Sequence, residues 1–230
     1  MRIGIIGSGC IGGTLGRLLA RAGHEVRLCN SRGPDSLREL VAEIGVNARA
    51  TSKEEAVRGT DVVVLAAPWR VTDALPAADT VAGKIVVDAM NPYSGDGAQI
   101  DLGSTTPSEE TAKRLPRARL VKAFNTIWFK HLAEAGRPDL PMMQRRAIPL
   151  AGDDPQAKRV VASLISAIGF APVDTGGLRR GGMWQAVNSR LYNREVTGSQ
   201  ALSIVATTSR GHEFGRLAPP PRRVGEEAGG

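Results

Sequence analysis

Glycines at positions 7, 9 and 12 form the run Gly7-Ser8-Gly9-Cys10-Ile11-Gly12. In a chain with 27 glycines a G-x-G-x-x-G pattern can arise by chance, so its neighbours decide what it means. It directly follows the apolar run Ile3 to Ile6. It opens a segment, Ile11 to Ala22, in which Ile11, Leu15, Leu18, Leu19 and Ala22 recur at helical spacing before Gly23. A glycine loop between strand and helix has a specific use. Gly7 permits the tight turn, Gly9 lets backbone approach a pyrophosphate, and Gly12 lets the helix pack close to the sheet. Unpaired N–H groups at the positive end of the helix then face the phosphates.

The second strand, Glu25 to Cys29, selects the nucleotide. Folds that bind NAD place Asp or Glu at its end to accept from the ribose 2′-hydroxyl. This chain has Asn30-Ser31-Arg32 there and no carboxylate until Asp35. A hydroxyl and a guanidinium suit a 2′-phosphate, which a carboxylate would repel. The expected cofactor is NADP, with Asn30, Ser31 and Arg32 at its 2′-phosphate. Ligands of an open parallel sheet lie outside the carboxyl ends of the strands. That places Ala67-Pro68-Trp69, Asn91-Pro92-Tyr93 and Asn125-Thr126 around the same cleft. Ala67, Pro68, Trp69, Asn91 and Asn125 complete the candidate cofactor-binding set. The set is short of acids, bases and nucleophiles; Lys122 and His131 are the nearest titratable groups. Histidines at 24, 131 and 212 do not support a Ser-His-Asp order, and metal-ligand spacing is absent, so no catalytic residue and no metal ligand are assigned. Such a site positions two redox partners instead of performing acid–base chemistry.

The elements that must hold these residues alternate in type. Strands are expected at Ile3 to Ile6, Glu25 to Cys29, 46–50, Val62 to Ala67, Ile85 to Val87 and Arg119 to Phe124. Helices are expected at Ile11 to Ala22 and Asp35 to Ile44, and Ser52-Lys53-Glu54-Glu55 has the form of a capping box. Continuous apolar strands such as Val62-Val63-Val64-Leu65 are the mark of burial on both faces. The expected fold is α/β, a Rossmann-type doubly wound parallel sheet over residues 1–125. A smaller C-terminal α/β part follows over 126–206, with strands at Ala147 to Ala151 and Ala171 to Asp174 and helices at Pro155 to Ile168 and Thr197 to Ala206. Gly176-Gly177 and Gly181-Gly182 read as chain breaks. Residues 207–230, rich in Gly, Pro and charge, read as a disordered tail.

The 230 residues are 42% apolar and 23% charged, which fits a globular protein and excludes wholesale disorder. No apolar run is long enough to span a bilayer. The N-terminal apolar stretch is too short for a signal peptide, and two cysteines make no disulfide framework, so the expected compartment is the cytoplasm. A net charge of +7 suits an anionic partner. Aromatics are only 4% of the chain and no dense basic run occurs, so phosphorylated small molecules are expected in place of nucleic acid or membrane.

The chain resembles the NADP-linked reductases of the deazaflavin coenzyme F420. The matching stretches are Met1 to Gly9, Asn30-Ser31-Arg32-Gly33-Pro34, Asp61 to Trp69, Asp88 to Tyr93, Val121 to Ile127, Ala151 to Asp154 and Gly169 to Gly177. The resemblance implies that Ser8, Gly9, Cys10 and Ile11 hold the pyrophosphate, that Ser31 and Arg32 take the 2′-phosphate, and that Trp69 borders the nicotinamide ribose. It implies hydride transfer between NADP(H) and coenzyme F420 as co-substrate, and, since many members pair, a homodimer. The chain departs from the family after Gly177, where it reads Leu178-Arg179-Arg180-Gly181-Gly182-Met183-Trp184. Arg179, Arg180, Arg190 and Arg194 would suit the phosphate and glutamate tail of that coenzyme. Two alternatives stay open: a tailoring reductase acting on a small organic substrate or another flavin, and a non-catalytic NADP(H)-binding sensor.

Overall fold

A computed structural model describes residues 1–208. The expected disordered tail lies outside the described residues, except that Thr207 and Thr208 end a helix.

Eight strands form one sheet in the order β3-β2-β1-β4-β5-β6-β7-β8. Strands β1 (Arg2–Ile6), β2 (Glu25–Cys29), β3 (Ala48–Ala50), β4 (Val62–Leu65), β5 (Ile85–Asp88) and β6 (Arg119–Ala123) are parallel. Their alternation splits two cores. Ile3, Ile5, Val62 and Val64 pack with Leu15 and Leu19 of α1 (Cys10–Arg21), whereas Ile6, Val63, Leu65 and Val86 face the other layer with Leu115 and Leu120. Both sets are buried, which is why these strands read as unbroken apolar runs.

The parallel sheet ends at β6. Strand β7 (Ala147–Gly152) runs antiparallel to β6, and β8 (Ala171–Asp174) is parallel to β7. A parallel return would need a crossover to the opposite end of the sheet. The link from β6 to β7 carries α5 (Phe129–Glu134), which packs on α1, and a 3-10 turn at Met142–Gln144, and the chain re-enters at the end it left. Helix α6 (Pro155–Ala167) makes the β7–β8 crossover. Strands from both expected segments therefore share one sheet.

Local chemistry explains most boundaries. The helix expected at Asp35 begins as a 3-10 turn at Pro34–Leu37 and becomes α2 at Arg38–Ile44. Ser52 caps α3 (Lys53–Val57), with Ser52 and Glu55 bonding each other's backbone N–H. Thr106 and Glu109 repeat that device on α4 (Pro107–Arg114), a helix that apolar periodicity misses because Ala112 is its one aliphatic residue. The break expected at Gly181-Gly182 is instead the interior of α7 (Leu178–Met183). A Cβ at Gly181 would stand 2.9 Å from the Ala151 Cβ, so glycine there serves close helix–sheet packing. Helix α8 (Gly198–Thr208) closes the described chain against β7 and β8. Among the described residues no helix is long and apolar enough to cross a membrane.

Asp154 joins the end of this sheet to α6. Its Oδ1 accepts from the N–H groups of Gln156 at 2.8 Å and Ala157 at 3.0 Å, and its Oδ2 accepts from Arg119 Nε at 2.5 Å. Arg119 and these N–H groups hold its carboxyl well below the usual carboxylate range. A depressed folded-state pKa adds stability above the unfolded value, near 3.8, and loses it as pH falls through the folded one. Asp154→Asn keeps a capping oxygen without the charge. It should melt below the wild type at neutral pH, and the gap should close between about pH 5 and pH 2. A gap that stays constant on acidification would show that the charge contributes nothing.

Candidate functional site

The glycine loop has the shape its sequence requires. Gly7 sits at φ 104°, donates its N–H to the Cys29 carbonyl at 2.9 Å, and lies so near Ala66 that a Cβ would be 2.5 Å from the Ala66 oxygen. A Cβ on Gly12 would fall 1.8 Å from the Gly7 oxygen, so α1 can seat against the loop only without one. Gly9 differs: a Cβ there would meet nothing within 4 Å. Gly9 is also the N-cap of α1, no side chain caps that end, and the first turn has no acid. The first intrahelical bond is Gly13 N–H to Gly9 O at 2.8 Å. The N–H groups of Cys10, Ile11 and Gly12 therefore point out of the helix end without an intrahelical acceptor. Burial pushes the Cys29 thiol up to about 11, so it is inert, while Cys10 is exposed on the loop.

The loop opens into a cleft of about 370 Å³ bordered by Ser8, Gly9, Cys10, Arg32, Ser36 and Phe129. Asn30 links three of these bordering residues. Its Nδ2 donates to Ser8 Oγ at 3.1 Å and Ser36 Oγ at 3.0 Å, and its Oδ1 accepts the Arg32 N–H at 2.9 Å. Asn30 thus ties the turn after β2 to the glycine loop. Ser31 and Arg32 are exposed at the rim. Among the described residues the Arg32 guanidinium has no hydrogen-bond or ion-pair partner. Asp35 is matched by Arg38 and Glu43 by Arg17, each at 2.6 Å, whereas Glu39, which also borders the cleft, has no ion-pair partner among the described residues. An uncapped helix end and an unmatched guanidinium on one cleft fit the pyrophosphate and 2′-phosphate of NADP.

Beyond the loop, Ala66 follows β4 and donates its N–H to Ile6 O at 2.8 Å, which brings Ala67 beside Gly7, with Pro68 next in the chain. Trp69 is half-buried on the second core, with the Arg114 guanidinium 5.3 Å above its ring. Lys53 steadies the loop that follows by donating to the Asp73 carbonyl at 2.7 Å.

Asn91 and Asn125 meet at the ends of β5 and β6. Asn91 Nδ2 donates to the Asn125 carbonyl at 2.9 Å, and Asn125 Nδ2 donates to Asn91 Oδ1 at 3.0 Å and to the Gln185 carbonyl at 2.8 Å. The buried Gln185 amide donates to Asn125 Oδ1 at 3.0 Å and Pro149 O at 3.2 Å and accepts from Ala151 N–H at 3.2 Å. Phe124, just before Asn125, holds φ 65°, a costly conformation for a residue with a Cβ. The Asn193 N–H bonds Thr126 O at 2.8 Å, and the hydroxyls of Tyr93 and Tyr192 lie 2.9 Å apart. Segment 184–193 is thereby sewn to the strand ends. Gln185 lacked any sequence signal, since it meets Asn125, 60 residues away.

The two titratable groups of the sequence reading part company. Lys122 is buried, not on the surface, and pairs with buried Asp88 at 3.4 Å beneath Asn91. His131 lies on α5 with its ring edge-on to Trp128 at 5.3 Å. Among the described residues no cluster of His, Cys, Asp or Glu could hold a metal ion.

The sheet order places the glycine loop at the switch point between β1 and β4, which defines a Rossmann-type dinucleotide-binding oxidoreductase fold. Likeness to known proteins narrows the class. Residues 2–92 match the model of a family described as NADP oxidoreductase, coenzyme F420-dependent. It is 34% identical to protein SMa0349 of Sinorhizobium meliloti, with 86% of this chain and 95% of that one covered at a TM-score of 0.74. A candidate F420-dependent NADP-reductase from Arthrobacter sp. FB24 is 25% identical, with 86% and 99% covered at a TM-score of 0.69. Metalloreductase STEAP3 of Rattus norvegicus is 32% identical over 191 residues. That match takes in 83% of this chain, which spans 37% of the length of the rat protein.

Proposed function

We propose that this protein passes hydride between NADP(H) and the deazaflavin coenzyme F420. The observation that carries the cofactor half is the meeting of the uncapped α1 end and the unmatched Arg32 on one cleft. Ser8 to Gly12 hold the pyrophosphate through backbone N–H groups, Ser31 and Arg32 bind the 2′-phosphate, and Asn30 keeps that turn in register with the loop. When bound, the nicotinamide supplies or accepts the hydride. Ala67, Pro68 and Trp69 border its ribose, and the Asn91–Asn125–Gln185 network fixes the strand ends against which both ring systems must lie. Residues 1–125 serve the nucleotide and 126–206 close the acceptor side. Support for coenzyme F420 comes from the family and the Arthrobacter protein. Likeness to a metalloreductase favours a second reading, delivery of reducing equivalents to another flavin or a ferric acceptor.

An anaerobic assay of NADPH oxidation against coenzyme F420, FMN, FAD and ferric chelates separates these readings. Coenzyme F420 should turn over fastest, with deuterium passing directly from labelled nicotinamide. Turnover of FAD or ferric chelate alone would move the assignment to the second reading. NADPH binding without turnover of any acceptor would favour the sensor.

A further inference from the structure

Tyr93 and Tyr192 reach the same point from opposite ends of the chain. Tyr93 follows β5, two residues past Asn91, and Tyr192 lies in segment 184–193. Their hydroxyls are 2.9 Å apart, and Asn91 Nδ2 stands 3.5 Å from the Tyr192 oxygen. Both side chains are half-buried.

The hydrogen count is decisive. Two phenols bring two hydroxyl hydrogens. One is used between them, in whichever direction, and Asn91 is a donor toward Tyr192, so it consumes none. No further acceptor for either hydroxyl occurs among the described residues. One O–H is left over, at the carboxyl ends of the strands, the side on which ligands of such a sheet lie. We infer that this surplus hydroxyl of the Tyr93–Tyr192 pair donates a hydrogen bond to a carbonyl oxygen of the hydride acceptor. The inference rests on the acceptor reading given above.

The donor suits the chemistry. Hydride arriving at a conjugated acceptor brings two electrons and one proton, and the electron pair it displaces collects on the conjugated carbonyl oxygen. A fixed donor stabilises that charge without giving up its proton; any proton the reduced acceptor takes up comes from solvent. Burial, together with Tyr93, raises the Tyr192 pKa well above the ordinary phenol range, which keeps this hydroxyl a donor. The class of acceptor selected is a planar conjugated carbonyl compound, which a free ferric ion is not.

Tyr93→Phe, Tyr192→Phe and the double variant test the assignment. Each single change breaks the same hydroxyl–hydroxyl bond, so a merely structural pair must lose equally in both. A donor pair must lose unequally, because only one residue carries the surplus hydrogen. One single variant should fall about 100-fold in kcat/KM and the double should match it, while the other single loses little. Melting temperatures of the two singles should agree, and NADPH affinity should stay within about twofold of wild type. A readout free of turnover is quenching of coenzyme F420 fluorescence by protein preloaded with NADP. There the same single variant should bind roughly 10-fold more weakly, near the loss of one neutral hydrogen bond. Equal losses in both singles, with wild-type turnover intact, overturn the tyrosine assignment alone. A wild type that neither binds nor reduces coenzyme F420, FMN or FAD overturns the acceptor reading and this assignment with it.

Discussion

Arg32→Ala should weaken NADPH binding by roughly 10- to 150-fold while leaving NADH binding nearly unchanged. A charge-assisted hydrogen bond nets about 1.5–3 kcal/mol, and each 1.4 kcal/mol is tenfold. The lower half of that range is expected, because Arg32 is exposed and water screens its charge. Its guanidinium has no partner to lose among the described residues, so the substitution should leave the fold intact. Ser31→Ala should act in the same direction by about 0.5–1.5 kcal/mol, the worth of a neutral hydroxyl. A switch toward NADH calls for a carboxylate at this turn, and the structure decides where to put it. Asn30 uses its amide nitrogen to hold both Ser8 and Ser36, so Asn30→Asp would loosen the loop. Ser31→Asp adds the same repulsion without that cost. Paired titrations with NADPH and NADH provide the check. Equal losses for both nucleotides in Arg32→Ala would remove the residue from the 2′-phosphate site.

Lys122→Met should be the most destabilising single change at the strand ends, by about 3–5 kcal/mol, because it strands a buried carboxylate. The side chains of Lys122 and Asp88 are only 3% and 0% exposed. Lys122 Nζ donates to the Met90 carbonyl, while Asp88 accepts from the Met90 N–H and from Ser108 Oγ, each at 3.0 Å. The pair therefore grips both sides of the residue before Asn91. Burial lowers the Lys122 pKa, and Asp88 opposes that shift. At about 2–4 °C per kcal/mol for a domain of this size, thermal unfolding should fall by roughly 6–20 °C. Adding Asp88→Asn, which keeps an acceptor for the Met90 N–H, should restore part of the loss by removing the unpaired charge. A loss below about 1 kcal/mol in the single variant would mean that Asp88 finds water or takes up a proton cheaply.

The glycine loop shows how far a short motif reaches. Gly7, Gly9 and Gly12 have three different surroundings, and the pattern assigns each its role because all three are set within one strand–turn–helix unit. The Thr106–Glu109 capping box was equally present in the sequence, yet α4 goes unseen by a reading built on apolar period. Gly181 and Gly182 misled in the opposite direction. Glycine signals a break by its freedom, but here Gly181 answers the closeness of Ala151 on β7 and Gly182 that of Thr106, both far away along the chain.

The sequence alone determined the parallel core, the loop and the basic turn after β2. Each depends on residues adjacent in the chain, where alternation, turn chemistry and charge act over a few bonds. Tertiary structure alone decided the reversal at β7, the burial of Lys122 against Asp88, and the joining of Asn91, Asn125, Gln185 and the two tyrosines. Those arrangements pair groups up to 101 residues apart, and which polar group meets which is fixed only when packing excludes water from them.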